Sequence, residues 1–221
     1  MRDHARIMET TGKPFSPACD RNRGPILEVL LRHFANARHV LEIGSGTGQH
    51  AVHFAAAMPW LAWQCADRAE YLPGIGQWLD EAGLPNTPPA IELAAVAAPL
   101  PGFSPSPPLP DAAGYDAVFS ANTLHIMGWA EVEAFFAGLA TVLAPAATVV
   151  VYGPFNYGGG YTSASNREFD GWLKARDPRS GIRDFEAVNA LAAGIGLRLV
   201  EDVAMPANNR CLVWRRRCGT P

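Results

Sequence analysis

Residues Val40 to His50 read VLEIGSGTGQH, a short apolar run that breaks into glycine at every second position, Gly44, Gly46 and Gly48, with Glu42 two residues ahead of the first. His39 to Ile43 has the length and apolar content of a buried strand, and Gln49 to Met58 reads as a helix stopped by Pro59. Strand, glycine turn and helix open a βαβ unit. Glycine at such a turn leaves bare backbone at the crevice over the strand ends, where open α/β sheets hold ligands.

The spacing argues against two ligand classes. The dinucleotide fingerprint needs its third glycine at position 49, where this chain has Gln49, and the phosphate loop needs Gly-Lys-Ser/Thr, which is absent. Glu42 is a poor neighbour for a pyrophosphate and a good one for a cation. Asp67 closes the second apolar run, Trp60 to Ala66, nineteen residues after Gly48, where its carboxylate can accept both ribose hydroxyls. A nucleoside carrying positive charge and no phosphate suits both acids, and S-adenosylmethionine has those parts. The plainer alternative is that Glu42 caps local amides and Asp67 opens a turn.

Outward from the turn, strand and helix patterns alternate. Pro25 to Phe34 places Ile26, Leu27, Leu30, Leu31 and Phe34 on one helical face. Ile75 to Ala82 is a weak helix ending at Gly83, and Ala90 to Val96 a third strand. Six prolines between Pro99 and Pro110 predict an extended surface loop, since proline supplies no ladder donor. Tyr115 to Ala121 is the fourth strand, followed by a helix with Val132, Phe135, Phe136, Leu139 and Leu143 on its inner face, and Thr148 to Tyr152 is the fifth. Ser165 with Glu168 has the spacing of a helix cap. A further helix spans Phe185 to Ala193. Leu197 to Val203 and Arg210 to Trp214 then form a closing hairpin. The expected architecture is α/β, one Rossmann-like domain over residues 1–221, with helices on both faces of a mostly parallel seven-stranded sheet. Its expected order is 3-2-1-4-5-7-6, with the seventh strand antiparallel.

Composition sets outer bounds. With 48% hydrophobic and 18% charged residues the chain has ordinary globular content, and a net charge of −3 gives no basic field for nucleic acid or anionic membrane. The opening MRDHARIMETTGK lacks the apolar core of a secretory signal, and no apolar run reaches the ~20 residues of a membrane span, so the expected location is the cytoplasm. Cys19, Cys65, Cys211 and Cys218 show no metal-ligand spacing and read as reduced thiols, Cys65 within a strand.

The segment EIGSGTG is similar to the first motif of class I S-adenosylmethionine-dependent methyltransferases. SPACDRNRGPIL, YDAVFSANTLHIMGW, VVYGPFNYGG, ASNREFDGWLKARDPRSGIRDFE and VAMPANNRCLVW extend the resemblance to the relatives of methyltransferase-like 26, from Ser16 to Trp214. The resemblance implies the class I methyltransferase fold and S-adenosylmethionine as cofactor, with Gly44, Ser45, Gly46, Gly48, Glu42 and Asp67 around it and Asn122 at the edge of the methyl-transfer site. One departure stands out. The family reads LDV after the third strand, whereas this chain reads Ala94-Ala95-Val96, leaving only backbone at Ala95 and Val96 to meet the adenine amino group.

His125 follows the fourth strand and is the candidate general base, since imidazole titrates near neutrality; the alternative is a ring that only packs beneath the cofactor. Tyr152, Asn156, Tyr157 and the turn Asn208-Asn209-Arg210 lie where substrates enter such sheets, or else serve only turn geometry. The amino-terminal segment, residues 1–24, is expected to fold over the site, with Arg21 pairing the cofactor carboxylate. The expected partner is a small-molecule methyl acceptor, with neither nucleic acid nor membrane. A non-catalytic module that keeps the methyltransferase fold is the rival, and an NAD-dependent oxidoreductase a distant third because of Gln49.

Overall fold

The computed structural model describes residues 12–217. Cys218 and the first eleven residues of the segment expected to cover the site lie outside the described residues. In chain order the elements are α1 (Pro17–His33), β1 (His39–Ile43), α2 (Gln49–Ala57), β2 (Ala62–Asp67), α3 (Leu72–Ala82), β3 (Ile91–Glu92), β4 (Ala94–Val96), β5 (Gly102–Ser104) and β6 (Tyr115–Ala121). There follow α4 (Trp129–Val142), β7 (Leu143–Gly153), β8 (Phe155–Asn156), α5 (Ala164–Arg176), β9 (Arg183–Asp184), α6 (Phe185–Gly194), β10 (Leu197–Met205) and β11 (Asn209–Arg216).

Seven strands form one sheet in the order β10-β11-β7-β6-β1-β2-β3. β11 runs antiparallel to both neighbours, and the remaining adjacent pairs are parallel. This is the expected order, with the seventh strand reversed. Side chains alternate across a strand, so Leu41, Ile43, Val118, Val149 and Val151 pack with residues of α4 and α6, while Val40, Ala117, Phe119 and Val150 pack with α1, α2 and α3. Strands covered on both faces need no polar positions, which is why they read as continuous apolar runs. No helix among the described residues is long and apolar enough to cross a membrane.

Several boundaries differ from expectation. α1 begins at Pro17, which fits the first helical turn, and runs through Pro25, whose missing N–H costs the helix one internal bond. Tertiary packing outweighs that loss: Asn22, Ile26, Val29 and Leu30 are buried along α1, whereas Leu31 is turned outward. Leu143 opens β7 rather than ending α4, and pairs with Tyr115. The cap of α5 is Ser163, whose hydroxyl accepts the Asn166 N–H at 3.1 Å, rather than Ser165.

The third strand and the proline-rich stretch change most. Only Ile91 and Glu92 join the sheet; Ala94–Val96 turns away and pairs antiparallel with Gly102–Ser104. The stretch lies mostly at the surface, as expected, but carries this short ladder. Phe103 lies flush on Gly138 of α4, where an added Cβ would stand 2.5 Å from the ring, and meets Phe135 edge-on at 6.2 Å. Apolar anchoring replaces the ladder donors that the prolines cannot supply.

Gly138→Ala should force Phe103 from its seat. Overpacking of this kind costs about 1–3 kcal/mol, against a helix-propensity gain of about 1 kcal/mol, so a net loss of stability is expected in urea denaturation. Faster proteolysis between Pro99 and Pro110 should accompany it.

Candidate functional site

The turn between β1 and α2 is stapled to the end of β2. Gly44 and Ser45 donate their N–H groups to the Ala66 carbonyl at 2.9 and 3.3 Å, Ala66 N–H reaches Ser45 Oγ at 3.2 Å, and Gly46 N–H reaches Asp67 Oδ2 at 2.7 Å. The three glycines are required for three different reasons. A Cβ on Gly44 would meet Thr123 Oγ1 at 2.5 Å, and one on Gly48 would press on Ile75 and Trp78 of α3. Gly46 has a left-handed φ of +60° and no atom within 4 Å of its missing Cβ, so bare backbone there faces open space.

Asp67 is nearly buried, with Oδ1 accepting Arg68 N–H at 2.8 Å. Burial pushes its pKa up, and the amides of Gly46 and Arg68 oppose that push. Each carboxylate oxygen keeps a second lone pair for a ligand hydroxyl. Glu42 behaves otherwise. Its side chain is wholly buried between Trp63, whose Nε1 donates to Oε2 at 3.0 Å, and the Cys65 thiol at 3.7 Å, and burial raises its pKa to about 7. Glu42 thus serves the core face shared with α1, α2 and α3. Ala95 and Val96 stand in the β4–β5 hairpin, beyond Leu93, whose N–H bonds the Asp67 carbonyl at 2.9 Å.

α1 docks on this turn. Ser16 N–H donates to Gln49 Oε1, which also accepts from Thr47 Oγ1 at 3.0 Å. His50 Nε2 bonds Asn22 Oδ1 at 2.7 Å, and its Nδ1 lies 3.9 Å from Cys19 Sγ. Just before α1, Pro14 accepts from Trp78 Nε1 at 2.7 Å and packs against Gly74 of α3. Residues 13–22 therefore cross from α3 to α2. Arg21 is exposed on α1; its charge lowers the pKa of Tyr152, which burial, the larger effect, raises to about 12. A cleft of about 590 Å³ lined by Leu72, Gly76, Leu79, Asp80 and Ala90 includes none of these turn residues.

Asn122 closes the far side of the turn at φ +57°, donating its N–H to Tyr152 O at 2.9 Å, and Thr123 lies against Gly44. His125 is buried, its ring edge-on to Phe169 at 5.3 Å. The segment 180–183 holds this loop: Gly181 N–H bonds His125 O at 2.9 Å, Ser180 Oγ bonds Ile126 O at 2.7 Å, and the Arg183 guanidinium bonds the carbonyls of Leu124 and Met127. Asp170 anchors the clamp by accepting Ile182 N–H at 2.7 Å. Although burial pushes Asp170 upward, Lys174, Tyr161 and that amide hold its pKa below the ordinary carboxylate value. Asp170, Ser180, Gly181, Ile182 and Arg183 have no role assigned from the sequence; their only signal was the length of the segment ASNREFDGWLKARDPRSGIRDFE that contains them. Tyr157 and Arg210 both bond Asp202, and Asn208 bonds Ser165, so much of the supposed substrate edge is internally paired.

The sheet order and the glycine turn at its switch point define a class I methyltransferase fold. The chain belongs to the family described as "Protein of unknown function (DUF938)", whose model matches residues 13–216. Among solved structures, an O-methyltransferase family protein from Burkholderia thailandensis is similar at 16% identity over 92% of this chain and 58% of its own, with a TM-score of 0.73. The S-adenosylmethionine-dependent methyltransferase SibL, solved in its apo form, matches at 22% identity over 90% and 56%, TM-score 0.71. An O-methyltransferase family 2 protein from Planctomyces limnophilus, solved with apigenin, matches at 13% identity over 88% and 56%, TM-score 0.72. The chain spans little more than half the length of these proteins, and at such identities the likeness is one of fold.

Two buried groups beside the turn have opposed pH linkages. Glu42, raised from 4.5 to about 7, binds protons more readily folded than unfolded, so its contribution to stability falls as pH rises between those values. Burial lowers His50 from 6.5 to about 4, so its contribution rises with pH between 4 and 6.5. Glu42→Gln, which retains an acceptor for Trp63, should remove the first slope. Relative to wild type its unfolding free energy should climb by about 3 kcal/mol from pH 4.5 to 7, measured by urea denaturation.

Proposed function

We propose that the protein is an S-adenosylmethionine-dependent methyltransferase acting on a small molecule. The observation that carries this reading is the bare, left-handed backbone at Gly46, open to space and hydrogen-bonded to the carboxylate at the end of β2. The residues present fit the cofactor at three points: the cradle over Gly46, the remaining acceptor capacity of Asp67, and a buried amide at Gln49 whose Nε2 has no partner. Kinship with methyltransferase-like 26, a cytoplasmic location and a single domain over residues 1–221 belong to the same proposal. The small-molecule acceptor is inferred from proteins of similar fold, such as the one solved with apigenin.

When bound, the cofactor supplies a methyl group activated by a sulfonium. Asp67 then holds the ribose, the backbone of Gly44, Ser45, Gly46 and Gly48 sets the depth at which the ligand lies, and Asn122 closes the turn from β6. Backbone at Ala95 and Val96 borders the base, and Arg21 approaches from α1. Glu42 supports the turn from below and, with its elevated pKa, does not supply a full negative charge at neutrality. The clamp of residues 180–183 steadies the loop on which His125 would receive the acceptor's proton. Positioning alone provides much of the acceleration in a displacement of this kind. The absence of an acid at Ala94-Ala95-Val96 favours the second reading, a non-catalytic module that binds the nucleoside.

Gly46→Val should abolish binding of S-adenosylhomocysteine in calorimetry with circular dichroism unchanged, since the new side chain fills the cradle; retained binding would place the ligand elsewhere. Given an acceptor found by screening small polar metabolites for S-adenosylhomocysteine release, His125→Ala should lower turnover by ~10²–10⁴ with cofactor affinity within a few-fold of wild type. A ring that only packs would instead lose binding and stability together. A broad screen without turnover, despite tight cofactor binding, would favour the binding module.

A further inference from the structure

Gln49 is 98% buried at the first position of α2, immediately after the glycine turn, and its side-chain amide is used at one end only. Oε1 accepts from Ser16 N–H and from Thr47 Oγ1, which sets the orientation of the amide. Nε2 is left buried with no hydrogen-bond partner. Native interiors rarely leave a donor in that state, because its lost hydration is then uncompensated. A side chain whose acceptor end is doubly bonded and whose donor end is empty, beside the turn over which a ligand lies, is arranged for an acceptor that arrives with the ligand.

Resting on the methyltransferase reading, we propose that Gln49 is a ligand-binding residue whose Nε2 donates to the carboxylate of the cofactor's amino-acid moiety. The direction of the ligand supports that end of it. With Asp67 holding the ribose at β2 and Ala95 and Val96 bordering the base beyond β3, the amino-acid part runs the other way, across β1 toward β6 and β7. On that side α1 brings Asn22 and Arg21 close to Tyr152, and the residue just before that helix is Ser16, the partner of Gln49. Gln49 thereby joins the ligand to residues 13–22: one end of its amide holds the crossing segment, and the other reads the carboxylate. The residue that breaks the dinucleotide fingerprint is also the one that selects an amino-acid nucleoside over a plain nucleoside.

Two ligands separate this role from a structural one: S-adenosylhomocysteine, which carries the carboxylate, and 5′-methylthioadenosine, which keeps the adenosine and lacks the amino-acid part. Gln49→Glu preserves an acceptor for Ser16 and Thr47 and removes the donor. In calorimetry it should weaken S-adenosylhomocysteine by about tenfold or more, the scale of one hydrogen bond to a charged group, and leave 5′-methylthioadenosine within about twofold. Gln49→Met, which has no donor and no charge, should show the same discrimination and guards against a folding failure of the first variant. Equal losses for both ligands, or unchanged affinity for S-adenosylhomocysteine in a variant with wild-type thermal stability, would overturn the role of Gln49 alone. A wild-type protein that binds neither compound would overturn the methyltransferase reading, and this inference with it.

Discussion

Gly46 donates its N–H to the Asp67 carboxylate at 2.7 Å while the two residues before it bond the Ala66 carbonyl. These bonds tie the end of β1 to the end of β2 and leave the outer surface of the turn uncovered. An L residue at position 46 would pay for its left-handed backbone, a side chain at 44 would strike Thr123, and one at 48 would push α3 away. The turn therefore also sets where β6 and α3 can sit. Crevice and core come from one constraint, the absence of three side chains.

Burial divides the two acids that flank the turn. Asp67 sits at a strand end and receives two backbone amides, one on each carboxylate oxygen. Glu42 lies two residues inside β1, where the alternation of the strand sends it into the core against Trp63 and Cys65. A carboxyl there is stabilised in its protonated form near neutrality, and its service is to fix Trp63 and the floor of the turn. The sequence led to the expectation that both acids face the ligand, Glu42 its positive charge and Asp67 its ribose hydroxyls; the depth of Glu42 in the core separates the two.

Across the turn, the loop of His125 is held by a chain of polar contacts that begins on α5. Asp170, paired with Lys174 and accepting the Tyr161 hydroxyl, fixes the backbone of Ile182, and the adjoining residues Ser180, Gly181 and Arg183 grip the carbonyls from Leu124 to Met127. A loop without regular structure acquires a defined shape when its carbonyls have partners. The backbone so held places the buried His125 ring against Phe169.

Strand order, the reversed last strand and the location of the turn were legible in the sequence because they rest on local pattern: apolar runs of strand length, helical spacing between them, and glycines where a strand gives way to a helix. The place of Asp67 at the end of β2 was legible for the same reason, as the first acid after a buried run. What only the tertiary structure decided depends on residues remote in the chain. Ala94–Val96 left the sheet because Phe103 found a seat on Gly138; α1 ran through Pro25 because its buried face outweighed one missing bond; and the Gln49 amide was left with a free donor because Ser16 and Thr47 took the other end. Such outcomes are set by which surfaces meet, and a one-dimensional pattern of polarity does not carry that information.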